Sequence, residues 1–168
     1  MSEVLEPDLL QQVAGLVAAH EEPDQPAATF RAADATLAAL VGHKVFTVLL
    51  HCPDERQFRR VYSSHPEVYP PGGCFDSEAS PLWPRLLSLG RPYIGRTAAD
   101  IRRTFLSHAV ILSLGCESVL NMPVRWQGRT LGALNLLHER HWYSEADVPL
   151  VRLIAHLVLP AMMLAARG

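Results

Sequence analysis

Gly115-Cys116-Glu117-Ser118-Val119-Leu120-Asn121-Met122-Pro123-Val124, followed two residues later by Gln127-Gly128-Arg129-Thr130-Leu131-Gly132-Ala133-Leu134-Asn135-Leu136, decides the fold. Ser118 to Val124 reads as a strand, Gln127-Gly128 as a tight turn, and Thr130 to Leu137 as the partner strand. Together they predict a hairpin. Gly132 allows close backbone approach or a bulge, and Pro123 removes a ladder donor, so its position belongs at an edge or a bulge.

Working outward, Ser144-Glu145-Ala146-Asp147 is a capping box that opens a C-terminal helix, and Pro160 predicts a kink or an end in it. That helix is apolar nearly all round from Leu150 to Leu164, so it needs cover on more than one side. The sheet covers one face. Either an N-terminal helix (Leu9, Val13, Leu16, Val17) or a second copy of the chain covers the other, which is the argument for a homodimer.

Upstream of the hairpin, Thr97 to Asp100 is a second capping box, predicting one helix with Ile101, Phe105, His108 and Leu112 on one face and an end at Gly115. Pro92 to Gly95 reads as extended, and Ser80-Pro81 to Gly90 as a helix. Val45 to Leu50 is a central strand, Gln57 to Ser63 a weaker one, and Pro66 to Gly73 an irregular loop. A helix from about Pro26 carries Phe30, Ala33, Leu37, Leu40 and Val41 and stops at Gly42. The fold class is therefore α+β: a central antiparallel sheet with helices packed on it and the terminal helices forming a bundle. Residues 1–25 form an N-terminal helix and linker, with the domain proper at residues 26–168.

The chain has 168 residues, 49% apolar and 19% charged, enough for a core without staples. Its 15 basic and 17 acidic residues give a net charge of -2, which supplies no basic field for nucleic acid. No apolar run reaches the roughly 20 residues of a membrane span. No signal peptide opens the chain and three cysteines cannot close a disulfide framework, so the cytoplasm is the expected location.

The 115–136 stretch, with its Pro-Val strand end, Gly-containing turn and Leu-Gly-x-Leu, resembles a GAF domain; Tyr143 to Asp147 and the apolar helix behind it resemble that family's closing element. The resemblance covers about residues 26 to 166 and is specific over 115 to 159. It implies a pocket on one sheet face, roofed by Tyr62 to Cys116, for a small molecule such as a cyclic nucleotide, a tetrapyrrole, an amino-acid-like compound or an oxo-acid. It also implies dimers through the terminal helices.

The candidate ligand contacts are Tyr62, Tyr69, Trp83, Tyr93, Arg102, Phe105, His108 and Cys116. His108 reads equally as a core histidine bonded to backbone. One of Arg102 and Arg103 must be solvated, because adjacent helical residues point about 100° apart; Arg102 is taken as the inward one, near a helix start that favours anions. The four aromatics Tyr62, Tyr69, Trp83 and Tyr93 read either as pocket walls or as a satellite core under a long loop.

An enzyme is the second reading. Free methionine-(R)-sulfoxide reductases, which are GAF-like, use cysteines, and Cys74 could approach Cys116. The local sequences lack that family's Gly-Val-Cys-Gly-type turn. A pure interaction module is the third reading. His51-Cys52 and His138 to His141 lack metal-site spacing, so no metal is expected. The expectation is thus a stand-alone sensory domain for a small metabolite of unnamed identity, with anions among the candidates. It would signal through a dimer to a separate effector, with ligand enclosure ordering the loop and biasing the terminal-helix dimer.

Overall fold

The computed structural model describes the backbone of residues 2–168 and the side chains of residues 8–168. In chain order the elements are helix α1 (Ser2–Ala18), α2 (Ala27–Leu40), strands β1 (Val45–Cys52), β2 (Gln57–Ser63) and β3 (Cys74–Asp76), then α3 (Leu82–Leu89) and β4 (Tyr93–Gly95). They continue with α4 (Ala98–Thr104), α5 (His108–Ser113), β5 (Ser118–Trp126), β6 (Arg129–His138), α6 (Val148–Leu157) and α7 (Leu159–Ala165). The chain is α+β, with one six-stranded antiparallel sheet in the order β3-β2-β1-β6-β5-β4.

Strand parity divides the core in two, because successive side chains leave a strand on opposite faces. Phe46, Val48 and Leu50 of β1, Leu120, Met122 and Val124 of β5, and Leu134 and Leu136 of β6 pack with Leu16, Phe30, Leu37, Val151, Ile154 and Met162. That is the face covered by α1, α2, α6 and α7. The opposite face presents Val45, Leu49, Val119 and Leu137 to α3, α4 and α5.

The hairpin forms as expected, with a turn in which Gln127 (φ 50°) and Gly128 (φ 73°) both take left-handed backbone. Such a two-residue turn matches the twist of the flanking strands. Both special positions are explained. A Cβ on Gly132 would stand 2.0 Å from the Leu49 carbonyl oxygen and 2.5 Å from Met162 Cε, so only glycine lets β1 and α7 approach there. Pro123 lies beyond Asn121, where the pairing of β5 with β4 ends and β5 becomes the sheet edge. Pro160 begins α7, which is bent 50° from the helix before it.

One expectation needs correction. The helix from Thr97 is two helices: its capping box forms, but the chain turns extended at Phe105 (φ -116°, ψ 131°) before α5 begins. Phe105 thereby turns its ring toward Trp83, and tertiary packing overrides a continuous helical stripe. The loop expected over Pro66 to Gly73 gives way at Cys74 to an edge strand that the sequence does not announce, β3, paired with Gln57–Arg59. Of the two covers expected for the second face of the C-terminal helix, the chain's own N-terminal helix supplies part, since Leu16 of α1 is buried in the same core and His20 Nε2 lies 2.9 Å from the Leu157 carbonyl. Leu10, Val17, Leu153 and Leu164 nonetheless stay exposed. Among the described residues no helix is long and apolar enough to cross a membrane.

Candidate functional site

Between the second sheet face and α3, α5 and the long loop lies a cavity of about 270 Å³. Its floor is a polar row across three strands. Thr47, Asn135 and Asn121 stand opposite one another in the β1–β6–β5 register and are 8%, 8% and 1% exposed. Asn135 Nδ2 donates to Thr47 Oγ1 at 3.1 Å, and Asn121 Nδ2 donates to Asn135 Oδ1. The row ends in Asn121 Oδ1, a buried acceptor with no partner among the described residues. Leaving such a group unpaired costs about 1–3 kcal/mol.

The walls are apolar. Leu49, Val119 and Leu137 rise from the sheet, and Phe75, Trp83, Phe105 and Ile111 close the sides. Trp83 sits 5.2 Å from Phe75 and 6.3 Å from Phe105, and Phe58 backs it at 5.0 Å. Aromatic contacts of this kind hold large rings in fixed orientation. Leu106, between α4 and α5, is 78% exposed at the rim.

Among the described residues one charged side chain lines the cavity: Arg60 of β2. Its Cζ lies 4.9 Å from the Tyr69 ring centroid, and Nη1 donates to the Pro70 carbonyl at 3.2 Å. Nε is buried without a partner. Burial pushes the guanidinium below its ordinary pKa, without approaching neutrality at physiological pH. The Tyr69 hydroxyl is also buried and unpartnered; it lies toward Ser107 without meeting it in hydrogen-bonding geometry. Burial raises the Tyr69 pKa, so the phenol stays protonated.

Of the eight residues picked from sequence, the structure brings three together here: Tyr69, Trp83 and Phe105. Tyr62 sits on the opposite sheet face, against Phe30 and Phe46, with its hydroxyl donating to Asp34 Oδ2 at 2.6 Å. The cause is a bulge. Val48 pairs with Tyr62 but Leu49 pairs with Arg60, so Val61 is the extra residue. Past it the strand changes face, turning Arg60 toward the cavity and Tyr62 away. Tyr93 pairs with Asn121 across the β4–β5 ladder, but its hydroxyl is taken by Thr104 at 2.8 Å and it borders a neighbouring cleft. Arg102 is exposed, and Arg103 pairs with Asp100. His108 opens α5 outside the cavity lining.

Cys116 is buried among Val45, Ile101, Ile111 and Val119, and burial pushes its thiol up to about 11. The expected approach of Cys74 to Cys116 does not occur. Cys74 lies on β3, four strand spacings or about 19 Å from β5, and Cys116 is two residues before β5. A disulfide needs Cα atoms within about 7 Å. His51 packs on Phe58 at 5.2 Å and His138 stacks on Trp142 at 3.6 Å. Among the described residues no three His, Cys, Asp or Glu side chains converge as metal ligands.

The sequence reading missed Thr47, Asn121, Asn135 and Arg60. The signal was present in part: asparagine inside two otherwise apolar strands is unusual for a core.

The family model for the GAF domain matches residues 25–161. The fold is similar to the GAF domain of a phosphoenolpyruvate-protein phosphotransferase from Acinetobacter, at TM-score 0.75 and 12% identity over 94% of each chain. The corresponding domain from Coxiella burnetii gives 0.75 and 14%, over 95% of this chain and 94% of that one. A free methionine-R-sulfoxide reductase from Neisseria meningitidis, solved with its substrate, gives 0.68 and 15%, over 95% of this chain and 87% of that one. No curated protein matches.

Proposed function

The chain belongs to the GAF domain family, and from that premise we propose that it is a sensory module that holds a small organic metabolite in the sheet-face cavity. One observation carries this reading. Four buried side-chain polar atoms among the described residues lack a partner, and three of them belong to residues lining this cavity: Asn121 Oδ1, Tyr69 Oη and Arg60 Nε. Buried polar groups are normally paired, and each exception calls for an explanation. A ligand with apolar body and a few polar groups meets all three at once, in a site of the ordinary kind for small molecules.

The output runs through the terminal helices. Leu10 and Val17 of α1, Leu153 of α6 and Leu164 of α7 offer exposed apolar side chains, which a second copy of the chain would cover, with residues 1–25 serving as the dimer helix of the domain at 26–168. Ligand enclosure by the loop and the α4–α5 segment shifts the population of dimer geometries, which a separate effector reads. Three free thiols suit a reducing compartment such as the cytoplasm. Chemistry shared between Cys74 and Cys116 has no support in their separation.

Native mass spectrometry of freshly purified protein, against its denatured mass, is the test. A reproducible non-covalent increment on a dimer is expected. A bare monomer whose Trp83 environment is insensitive to any metabolite extract would refute the reading.

A further inference from the structure

We propose that the ligand is a small carboxylate, a monoanion whose carboxyl group meets Arg60 and whose ring-sized apolar body carries a hydroxyl or amino donor to Asn121. The inference rests on the reading that this cavity binds a ligand, and it names the class.

Charge comes first. Arg60 is the one charged side chain in the lining, and among the described residues it forms no ion pair. A guanidinium keeps its charge when half-buried, and a desolvated charge is costly without a counterion. Among the described residues no carboxylate lines the cavity to supply one. One cation matches one negative charge.

Geometry narrows the anion. Nη1 is committed to the Pro70 carbonyl, and the guanidinium plane is held against the Tyr69 ring. The edge left over is Nε, buried and unpartnered, with Nη2, which makes no hydrogen bond among the described residues. Two parallel N–H groups on one edge match the two oxygens of a carboxylate.

The body follows from the walls and the span. Trp83, Phe105, Leu49 and Val119 are apolar. The volume of about 270 Å³ exceeds the roughly 150 Å³ that accepts benzene. Strands β2 and β5 are three spacings apart, about 14 Å between backbones, which leaves a ring's length between the guanidinium and the Asn121 amide. At that far end the polar row presents Asn121 Oδ1, an acceptor without a partner among the described residues, beside an amide nitrogen that gives one of its two N–H groups to Asn135.

Three probes separate the parts of the proposal by calorimetric titration of the intact chain: para-hydroxyphenylacetate, its neutral amide para-hydroxyphenylacetamide, and phenylacetate. The acid is expected to bind at least tenfold more tightly than the amide, because hydrogen bonds to a charged group are the stronger kind. Phenylacetate is expected to fall between them. In Arg60→Gln the preference for acid over amide disappears while the amide keeps its affinity. The ratio in the unaltered protein decides the matter even where that variant does not fold. Equal binding of acid and amide overturns the carboxylate assignment and leaves the cavity reading standing. Phenylacetate binding as tightly as the hydroxylated acid overturns the role given to Asn121. Binding by none of the three overturns the ligand class, and the native mass then separates the two failures: a bound non-covalent species keeps the cavity reading, and its absence removes both.

Discussion

If the polar floor is a binding device rather than a structural one, it is a liability to the unliganded fold, and a double-mutant cycle on Asn121 and Asn135 exposes that. Asn135→Leu removes two hydrogen bonds, to Thr47 and from Asn121, and strands the Asn121 amide at a buried position. At about 1 kcal/mol per bond and about 1–3 kcal/mol for the stranded group, less leucine's apolar gain, the expected loss is about 2–4 kcal/mol. Asn121→Leu removes one bond and strands Asn135 Oδ1, but it also deletes an acceptor that already has no partner. Its expected cost is about 0–2 kcal/mol. With both replaced, only the Thr47 hydroxyl loses a partner, so the double variant is expected within about 1 kcal/mol of the parent. The singles then overstate the double by at least about 1 kcal/mol. Urea titration reads this as a midpoint shift of roughly 0.3–1 M, given slopes of about 1–3 kcal/mol/M. The double variant is expected to stay folded and to lose the ligand. Singles that add to within about 0.5 kcal/mol would mean the row is not a coupled unit, and the argument for Asn121 as an open binding group would fall with it.

Four further outcomes follow from individual contacts. Gly132→Ala places a methyl against the Leu49 carbonyl, where strand backbone must separate, so a loss of about 3 kcal/mol or more, or no soluble folded protein, is expected in the same titration. Tyr62→Phe deletes the bond to Asp34 on the far sheet face; it should cost about 1 kcal/mol and leave probe affinities unchanged, and a tenfold change in affinity would contradict the assignment of faces. Burial holds the Cys116 thiol up at about 11, against 9.0 for an ordinary one. The folded state then keeps the proton that the unfolded state releases, so this contribution is full below about pH 9 and is lost as pH rises toward about 11; Cys116→Val should flatten that alkaline decline, and thiol labelling at neutral pH should modify exposed Cys74 well before Cys116. On the proposed dimer, Leu153→Glu, on the exposed side of α6, should move the species seen by light scattering to monomer without changing the fold by circular dichroism; an unaltered protein that is already monomeric would refute the dimer, and a dimer that persists in the variant would place the interface elsewhere.

How far the amino-acid sequence reveals the fold and the cavity turns on two single-residue insertions. Most elements, their order and the packing of helices on an antiparallel sheet follow from apolar period and capping signals, which are local. Which strand residues share a face is not local. Counting outward from the Gln127-Gly128 turn without interruption sets Asn121 opposite Leu134, on opposite sides of the alternation from its true neighbour. The bulge between Val124 and Arg125 skips Leu131 and shifts the ladder by one, bringing Asn121 opposite Asn135. The matching irregularity in β2 skips Val61, exchanging Tyr62 for Arg60 on the cavity face. A slip of one residue in register turns every later side chain over, so the extra residue in the β5–β6 hairpin both creates the polar row and hides it, and the one in the β1–β2 hairpin does the same for Arg60. Gly132 is the visible trace, since it permits the close approach beside the first bulge. Val61 carries no such mark: a valine in a strand looks the same whether it is paired or skipped. The aromatic wall is legible because large rings near a long loop must be buried somewhere. The charged and amide groups that line the cavity are not, because their placement depends on pairing between strands distant along the chain; Thr47 and Asn135, which meet in the floor, are 88 residues apart.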